Sequence, residues 1–215
     1  MKSKKKWLII LSFIILLTSF RLAWLFYYND PDRPKAEDGV LDIRSADLMS
    51  EVMPVNGEWA FYPDKFVNPN QLSDEGDATP IRVPSDWRSV DQNEQESSFG
   101  HGTYHLRIIT DPNDSNMYRL RFMGISTASR VYINGEEVGE LGKVGANKAT
   151  SEPNEMPFSV NAQPAAGKID IVIQVSNFDH IKRGGIGRTI YFGGVNAVEA
   201  HEHFSMGLQL IGFAV

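Results

Sequence analysis

The sequence predicts an all-β sandwich behind an N-terminal membrane-type helix, and three observations carry that prediction. Gly102–Ile109, Tyr118–Phe122 and Ile169–Val175 alternate apolar with polar residues, the pattern of strands with one buried face. Val131-Tyr132-Ile133-Asn134-Gly135-Glu136-Glu137-Val138 is a hairpin signal, because Asn-Gly tolerates the positive φ that both central positions of a type I′ turn require. No helical pattern of a dozen residues separates the strands, which disfavours a parallel α/β fold that needs such crossovers.

The chain opens on Lys2, Lys4, Lys5 and Lys6, followed by an apolar run that fades through Arg21 into Trp24, Phe26, Tyr27 and Tyr28. Trp7 to Tyr28 makes a helix of ~33 Å, enough to cross a hydrocarbon core of about 30 Å. Basic flanks stay in the cytoplasm, so the rest of the chain is expected outside it. Trp7 at one end and Trp24, Tyr27 and Tyr28 at the other suit the two interfacial belts, and Arg21 lies where its stem can snorkel outward. A cleaved signal peptide has the same n- and h-regions, but Leu17-Thr18-Ser19-Phe20-Arg21-Leu22-Ala23 offers only weak cleavage sites, so an uncleaved anchor over residues 1–28 is favoured. Both readings export the domain.

Residues 29–55 read as linker and first strand: Asn29 to Ala36 is polar and proline-broken, and Val40-Leu41-Asp42-Ile43 is a short strand. Residues 56–196 read as the sandwich. Asn56 to Tyr62 sets Trp59 and Phe61, assigned to the core, against Glu58 and Ala60. A polar loop covers Asn68 to Thr79, and Ile81-Arg82-Val83 ends at Pro84. Tyr104, Leu106 and Ile108 then share one face, and Ile169, Ile171, Ile173 and Val175 point inward from a later strand. A two-residue turn at Asn134-Gly135 pairs Ile133 with Glu136, Tyr132 with Glu137 and Val131 with Val138, the last two on the core face. Residues 197–215 read as the start of a second membrane helix, polar through Glu199, His201, Glu202 and His203, then apolar from Gly207 to Val215, as if the chain were cut where it re-enters a bilayer.

Composition narrows the partners. The chain of 215 residues has no cysteine, which removes disulfides and thiolate metal sites. Lys2, Lys4, Lys5, Lys6 and Arg21 all precede the first acid, Asp30, so setting these five aside takes the net charge from −6 to −11 for the remainder. So acidic a domain is a poor nucleic-acid binder, since phosphate attraction supplies most of that affinity.

Several stretches together resemble the galactose-binding-like jelly roll, as in the sugar-binding domain of family 2 glycoside hydrolases. Gly57-Glu58-Trp59-Ala60-Phe61 is similar to its opening G-x-W-x-F, and Val83-Pro84-Ser85-Asp86-Trp87 to its V-P-x-x-W. Gly102 to Arg107 resembles the strand that follows. Leu120 to Ile125 with Val131 to Gly139 resembles L-x-F-x-G-V…V-x-V-N-G-x-x-V-G, and Ile173 to Asn177 resembles the last core strand. Behind an anchor and before a second apolar segment, such a jelly roll looks like the extracellular sensor of bacterial seven-transmembrane receptors with diverse intracellular signalling modules. That resemblance implies a small carbohydrate-like ligand, a cell-membrane location with the jelly roll outside, and signal transduction to a histidine kinase, cyclase or phosphatase after the bundle. It leaves room for a homodimer and calls for no cofactor. The alternatives are an accessory domain of an exported family 2-type glycoside hydrolase and a membrane-anchored protein-interaction module. The hydrolase's catalytic barrel, with both carboxylates, is not in this chain, so no catalytic residue is expected here.

Sugar sites pair an aromatic platform with Asn, Asp, Arg or His hydrogen-bonding to hydroxyls. The strongest cluster is Asn177, Phe178, Asp179 and His180 with Arg183, followed by Gly184-Gly185-Ile186-Gly187. Glycines there let backbone approach a ligand, or simply supply positive φ to a long hairpin loop. Trp87 and His101 flank the polar loop from Arg88 to Gly100, and Trp87 is either a stacking platform or a buried closure of the sandwich. Gly139 to Gly145 lacks the Lys-Ser/Thr and following helix of a phosphate loop. His201 and His203 have no third ligand nearby, so no metal site is expected. Neither a nucleophile elbow nor HExxH is present.

Overall fold

The computed structural model describes residues 2–28, 33–72, 78–89 and 98–212. The first half of the proline-broken linker, parts of the polar loops after Leu72 and Ser89, and the last three residues of the apolar C-terminal run lie outside the described residues. Two units are present, 1–33 and 34–215.

The first unit is a single helix, α1 (Lys2–Tyr28). Lys4–Ala23 is long and apolar enough to cross a membrane or to serve as a signal sequence, and it is the one such helix among the described residues. Its apolar side chains from Trp7 to Leu22 are exposed. Two hydroxyls of its apolar run bond back to the helix, Ser12 Oγ to the Ile9 carbonyl at 3.0 Å and Thr18 Oγ1 to the Ile14 carbonyl at 2.8 Å. These two side chains are thus satisfied within the helix, as apolar surroundings would require of them.

The second unit is a β-sandwich with a C-terminal helix. Its strands are β1 (Val40–Asp42), β2 (Val52–Pro54), β3 (Gly57–Pro63), β4 (Thr79–Val83), β5 (Gly100–Ile109), β6 (Tyr118–Phe122), β7 (Ala128–Ile133), β8 (Glu136–Leu141), β9 (Phe158–Ala162), β10 (Lys168–Asn177) and β11 (Ile190–Gly194), followed by α2 (Val195–Gly212). Sheet A runs β4-β3-β5-β10-β7-β8, and sheet B runs β2-β11-β6-β9. All pairings are antiparallel except β1, which pairs in parallel with Arg107 to Ile109 of β5, beyond the Gly102 to His105 stretch that β3 takes. From β5 to β11 the chain changes sheet at every connection but the β7–β8 hairpin, the wrapping of a jelly roll. β1 and β2 fall in the stretch read as linker and first strand, yet each pairs into a sheet of the sandwich.

The alternation read from the sequence is the inter-sheet core. Trp59, Tyr104, Leu106, Ile108, Ile169, Ile171 and Ile173 of sheet A face Leu120, Phe122, Ile190 and Phe192 of sheet B, all buried. Tyr118 stacks on Phe192 at 4.9 Å between centroids and Phe122 on Phe158 at 4.7 Å. Sheet A is also partly covered on its outer side. The segment after β3 crosses it, with Val67 N–H bonding Thr103 Oγ1 at 3.0 Å and Gln174 Nε2 donating to the Val67 carbonyl at 3.1 Å. That cover explains why Val172 and Gln174, on the outward register of β10, are also buried.

The Asn134-Gly135 turn has φ of 51° and 89°, as type I′ demands. Ile133 pairs with Glu136 and Tyr132 with Glu137 as expected. The pairing of Val131 with Val138 is not formed. A bulge places Gly139 opposite Val131, and Val138 turns outward to 38% exposure. The extra residue shifts the register by one and so exchanges faces. A Cβ at Gly135 would lie 2.5 Å from Asn70 Oδ1. Gly135→Val should therefore destabilise the domain by roughly 1 kcal/mol or more; an unchanged thermal midpoint would contradict this assignment.

On the outer face of sheet A, Asp170 accepts from His105 Nε2 at 3.2 Å and Arg107 Nε at 2.7 Å. Burial works against its charged form, but the hydrogen bonds from His105 and Arg107 and the Arg107 charge outweigh it and hold the carboxyl below its usual range. A depressed folded-state value means stabilisation present above the unfolded carboxylate pKa and lost as pH falls through the folded one. Asp170→Asn should therefore lower stability at neutral pH and flatten its decline below about pH 4, read from urea midpoints across a pH series.

Candidate functional site

Asn177 ends β10 opposite Gly100 of β5 and is fully buried. Its Nδ2 donates to the carbonyls of Ser98 at 2.7 Å, His180 at 2.8 Å and Arg183 at 3.0 Å. Its Oδ1 accepts from the backbone N–H of His180 at 2.8 Å and Asp179 at 3.3 Å. The side chain organises the loop that follows and has its hydrogen-bonding capacity taken up there.

Trp87 lies beneath this loop at 8% exposure, its indole N–H bonded to the Ser98 carbonyl at 3.1 Å. A Cβ on Gly184 would sit 2.4 Å from the indole, and one on Gly185, whose φ is +84°, would sit 2.2 Å from Tyr104 Oη. These two glycines thus let the loop lie directly on Trp87 and Tyr104. Backbone bonds complete the attachment: Ser85 N–H to the Ile186 carbonyl at 3.0 Å and Ser126 N–H to the Gly185 carbonyl at 3.2 Å. Burial drives the Tyr104 hydroxyl far above its ordinary pKa, so it stays a neutral phenol.

The other loop residues reach the surface. Phe178 and His180 are half-buried, and Asp179 is exposed. Asp179 pairs with Lys148, while Arg183 Nη2 lies 3.6 Å from Glu155 Oε1, which also accepts from Ser126 Oγ at 3.0 Å. His180 Nδ1 and Arg183 Nε are buried without a hydrogen-bond partner. Polar atoms left so are candidates for a ligand's hydroxyls. Ile181, 76% exposed, projects between them in sequence. Lys148, Glu155 and Ser126 were not legible as site residues, because they come from loops distant in sequence with no motif of their own. His101 stands apart: its ring packs on Phe66 at 4.8 Å and its Nδ1 is 4.0 Å from Asp64, neither of them in the Asn177–Gly187 loop. The structure thus gathers Phe178, Asp179, His180 and Arg183 over Asn177 and Trp87, and does not bring His101 to them.

A second concavity, an open pocket of about 520 Å³, lies at the β3–β4 edge of sheet A. Lys35, Glu37, Asp38, Asn56, Glu58 and Arg82 line it, and Asn56 Oδ1 is buried without a partner. Among the described residues no group of three His, Cys, Asp or Glu side chains could hold a metal ion.

No family model matches the chain. A Formosa agariphila protein named "Putative beta-glucuronidase" is 24% identical over 128 residues, which are 57% of this chain and 14% of that protein. Among solved structures, the GH2 beta-galacturonidase from Eisenbergiella tayi bound to galacturonate is 19% identical over 71% of this chain and 26% of its own, with a TM-score of 0.46. The Ruminococcus gnavus beta-glucuronidase is 15% identical over 66% of this chain and 28% of its own, with a TM-score of 0.47. The chain therefore spans only a minor part of each of these proteins.

Proposed function

We propose that this chain is the extracytoplasmic, non-catalytic carbohydrate-binding part of a bacterial membrane signalling receptor, anchored by α1, with the Phe178–Arg183 loop as its ligand site. The observation that carries the receptor reading is the continuity of β11 with α2, a helix of 18 residues whose sequence turns apolar at Gly207. Along the chain, the jelly-roll sandwich is thereby preceded by an apolar helix and followed by a helix whose sequence turns apolar. The carbohydrate reading is supported by the likeness to the Formosa agariphila protein and by the unpartnered His180 Nδ1 and Arg183 Nε beside a half-buried Phe178.

The same likeness favours a second reading, an accessory domain of an exported family 2-type glycoside hydrolase. The full reading frame separates the two: further apolar spans and a kinase or cyclase support the receptor, and a (β/α)₈ pattern supports the hydrolase.

The ligand site is tested by a thermal-shift screen of mono- and oligosaccharides, glucuronides included, on wild type and on Asp179→Ala/Arg183→Ala. Both side chains make partly exposed ion pairs of about 0–1 kcal/mol, so the double variant should stay folded. Each hydrogen bond lost to a buried hydroxyl should weaken binding by about 1–3 kcal/mol. Equal binding by both proteins would move the site to the β3–β4 pocket or to His101. No binding by wild type would favour a protein-interaction module. Topology is tested by protease added to intact cells, which should cleave the sandwich loops while a tag before Lys2 stays protected.

A further inference from the structure

The outer face of sheet B is polar, and α2 covers it with complementary charge. Arg119 and Arg121 project from β6, Ser159 and Asn161 from β9, and Tyr191 from β11. Arg119 Nη1 meets Glu199 Oε1 at 2.5 Å while its Nε donates to Asn161 Oδ1 at 2.9 Å. Arg121 Nε lies 3.4 Å from Glu202 Oε1, which also accepts from Ser159 Oγ at 2.7 Å. Tyr191 packs on His201 with ring centroids 4.7 Å apart.

The helix is held differently at its root. β11 enters α2 without a loop, and Gly194 N–H bonds the Leu48 carbonyl at 2.6 Å. A Cβ on Gly193 would lie 2.6 Å from the Glu51 carbonyl oxygen, so the root is clamped against the segment before β2. Val198 is fully buried. Among the described residues beyond it, α2 meets sheet B through the charged and polar contacts above, and Phe204 is 62% exposed. An apolar interface resists separation through the water it excludes, whereas partly buried ion pairs regain hydration when they part.

We infer that this seam is a charge latch: Arg119–Glu199 and Arg121–Glu202 dock α2 on sheet B, and the helix beyond Val198 releases from it while the sandwich stays folded. The latch does not depend on a sugar ligand. Under the receptor reading it is the two-state element through which the sandwich biases the segment that follows.

The test is hydrogen exchange followed by mass spectrometry on the full chain in detergent micelles. Glu199→Gln/Glu202→Gln lies on the helix alone and keeps side-chain size. It should speed exchange of the amides from Glu199 to Ser205 by about tenfold or more, leaving β5 and β10 as protected as before. About 1 M salt should do the same to wild type, because it screens the pairs. The charge-exchanged variant R121E/E202R, where its β10 protection shows it folded, should keep wild-type protection of α2. Unchanged helix exchange in both the double Gln variant and high salt overturns the latch. So does acceleration of β10 together with α2 in the double Gln variant, since the seam would then be part of the sandwich's cooperative core.

Discussion

Asn177→Ala is expected to lose roughly 3 kcal/mol or more of stability, a larger effect than any exposed substitution in the same loop. The side chain is fully buried and joins three carbonyls to two backbone N–H groups across β10, Ser98 and the loop. Ser98's carbonyl keeps the Trp87 indole as a partner, but those of His180 and Arg183 lose their Asn177 donor. Each buried group left unpaired costs about 1–3 kcal/mol. Asn177→Asp should be no better, because it keeps the acceptor, loses the donor and buries a charge. Urea unfolding monitored by tryptophan fluorescence reads both. A loss under ~1 kcal/mol would mean that water or the backbone takes over the bonds, and that Asn177 does not organise the site.

Trp59→Ala should cost about 3–5 kcal/mol, the range for emptying a large aromatic from a packed interior. Trp59 is fully buried in the inter-sheet core, and its indole N–H donates to the Val55 carbonyl at 3.1 Å. Trp59→Phe separates the two contributions, since it keeps most of the volume and gives up the hydrogen bond. It should cost about 1–3 kcal/mol. Denaturant midpoints with unchanged m-values make the comparison. Equal losses for the two variants would show that the bond to Val55, and not the volume, holds this position.

The strands with one buried face were legible because alternation is imposed locally: Tyr104, Leu106 and Ile108 face inward whatever strand lies beside them. The Asn134-Gly135 turn was legible for the same reason, since its φ values depend on two residues. β2, β9 and β11 were not read. Val52-Met53-Pro54 and Ile190 to Gly194 are short and carry a proline or glycines that argue against a strand, and they pair because strands distant in sequence supply their partners, Phe192 lying opposite both Met53 and Leu120.

The loop cluster shows the same division. Composition pointed to Asn177, Phe178, Asp179, His180 and Arg183, but it could not tell a side chain that binds from one that holds the loop. Asn177 and Trp87 are inside and bonded to backbone, and Asp179 and Arg183 meet Lys148 and Glu155 from other loops. His101 faces Asp64 and Phe66 instead. The sequence by itself determined the apolar N-terminal helix, the alternating strands and the I′ hairpin, each a matter of local sterics and periodicity. Only the tertiary structure decided the bulge that turns Val138 outward, the cover over the outer face of sheet A, and the charged seam under α2, because each depends on which distant backbone groups and side chains are brought within bonding distance.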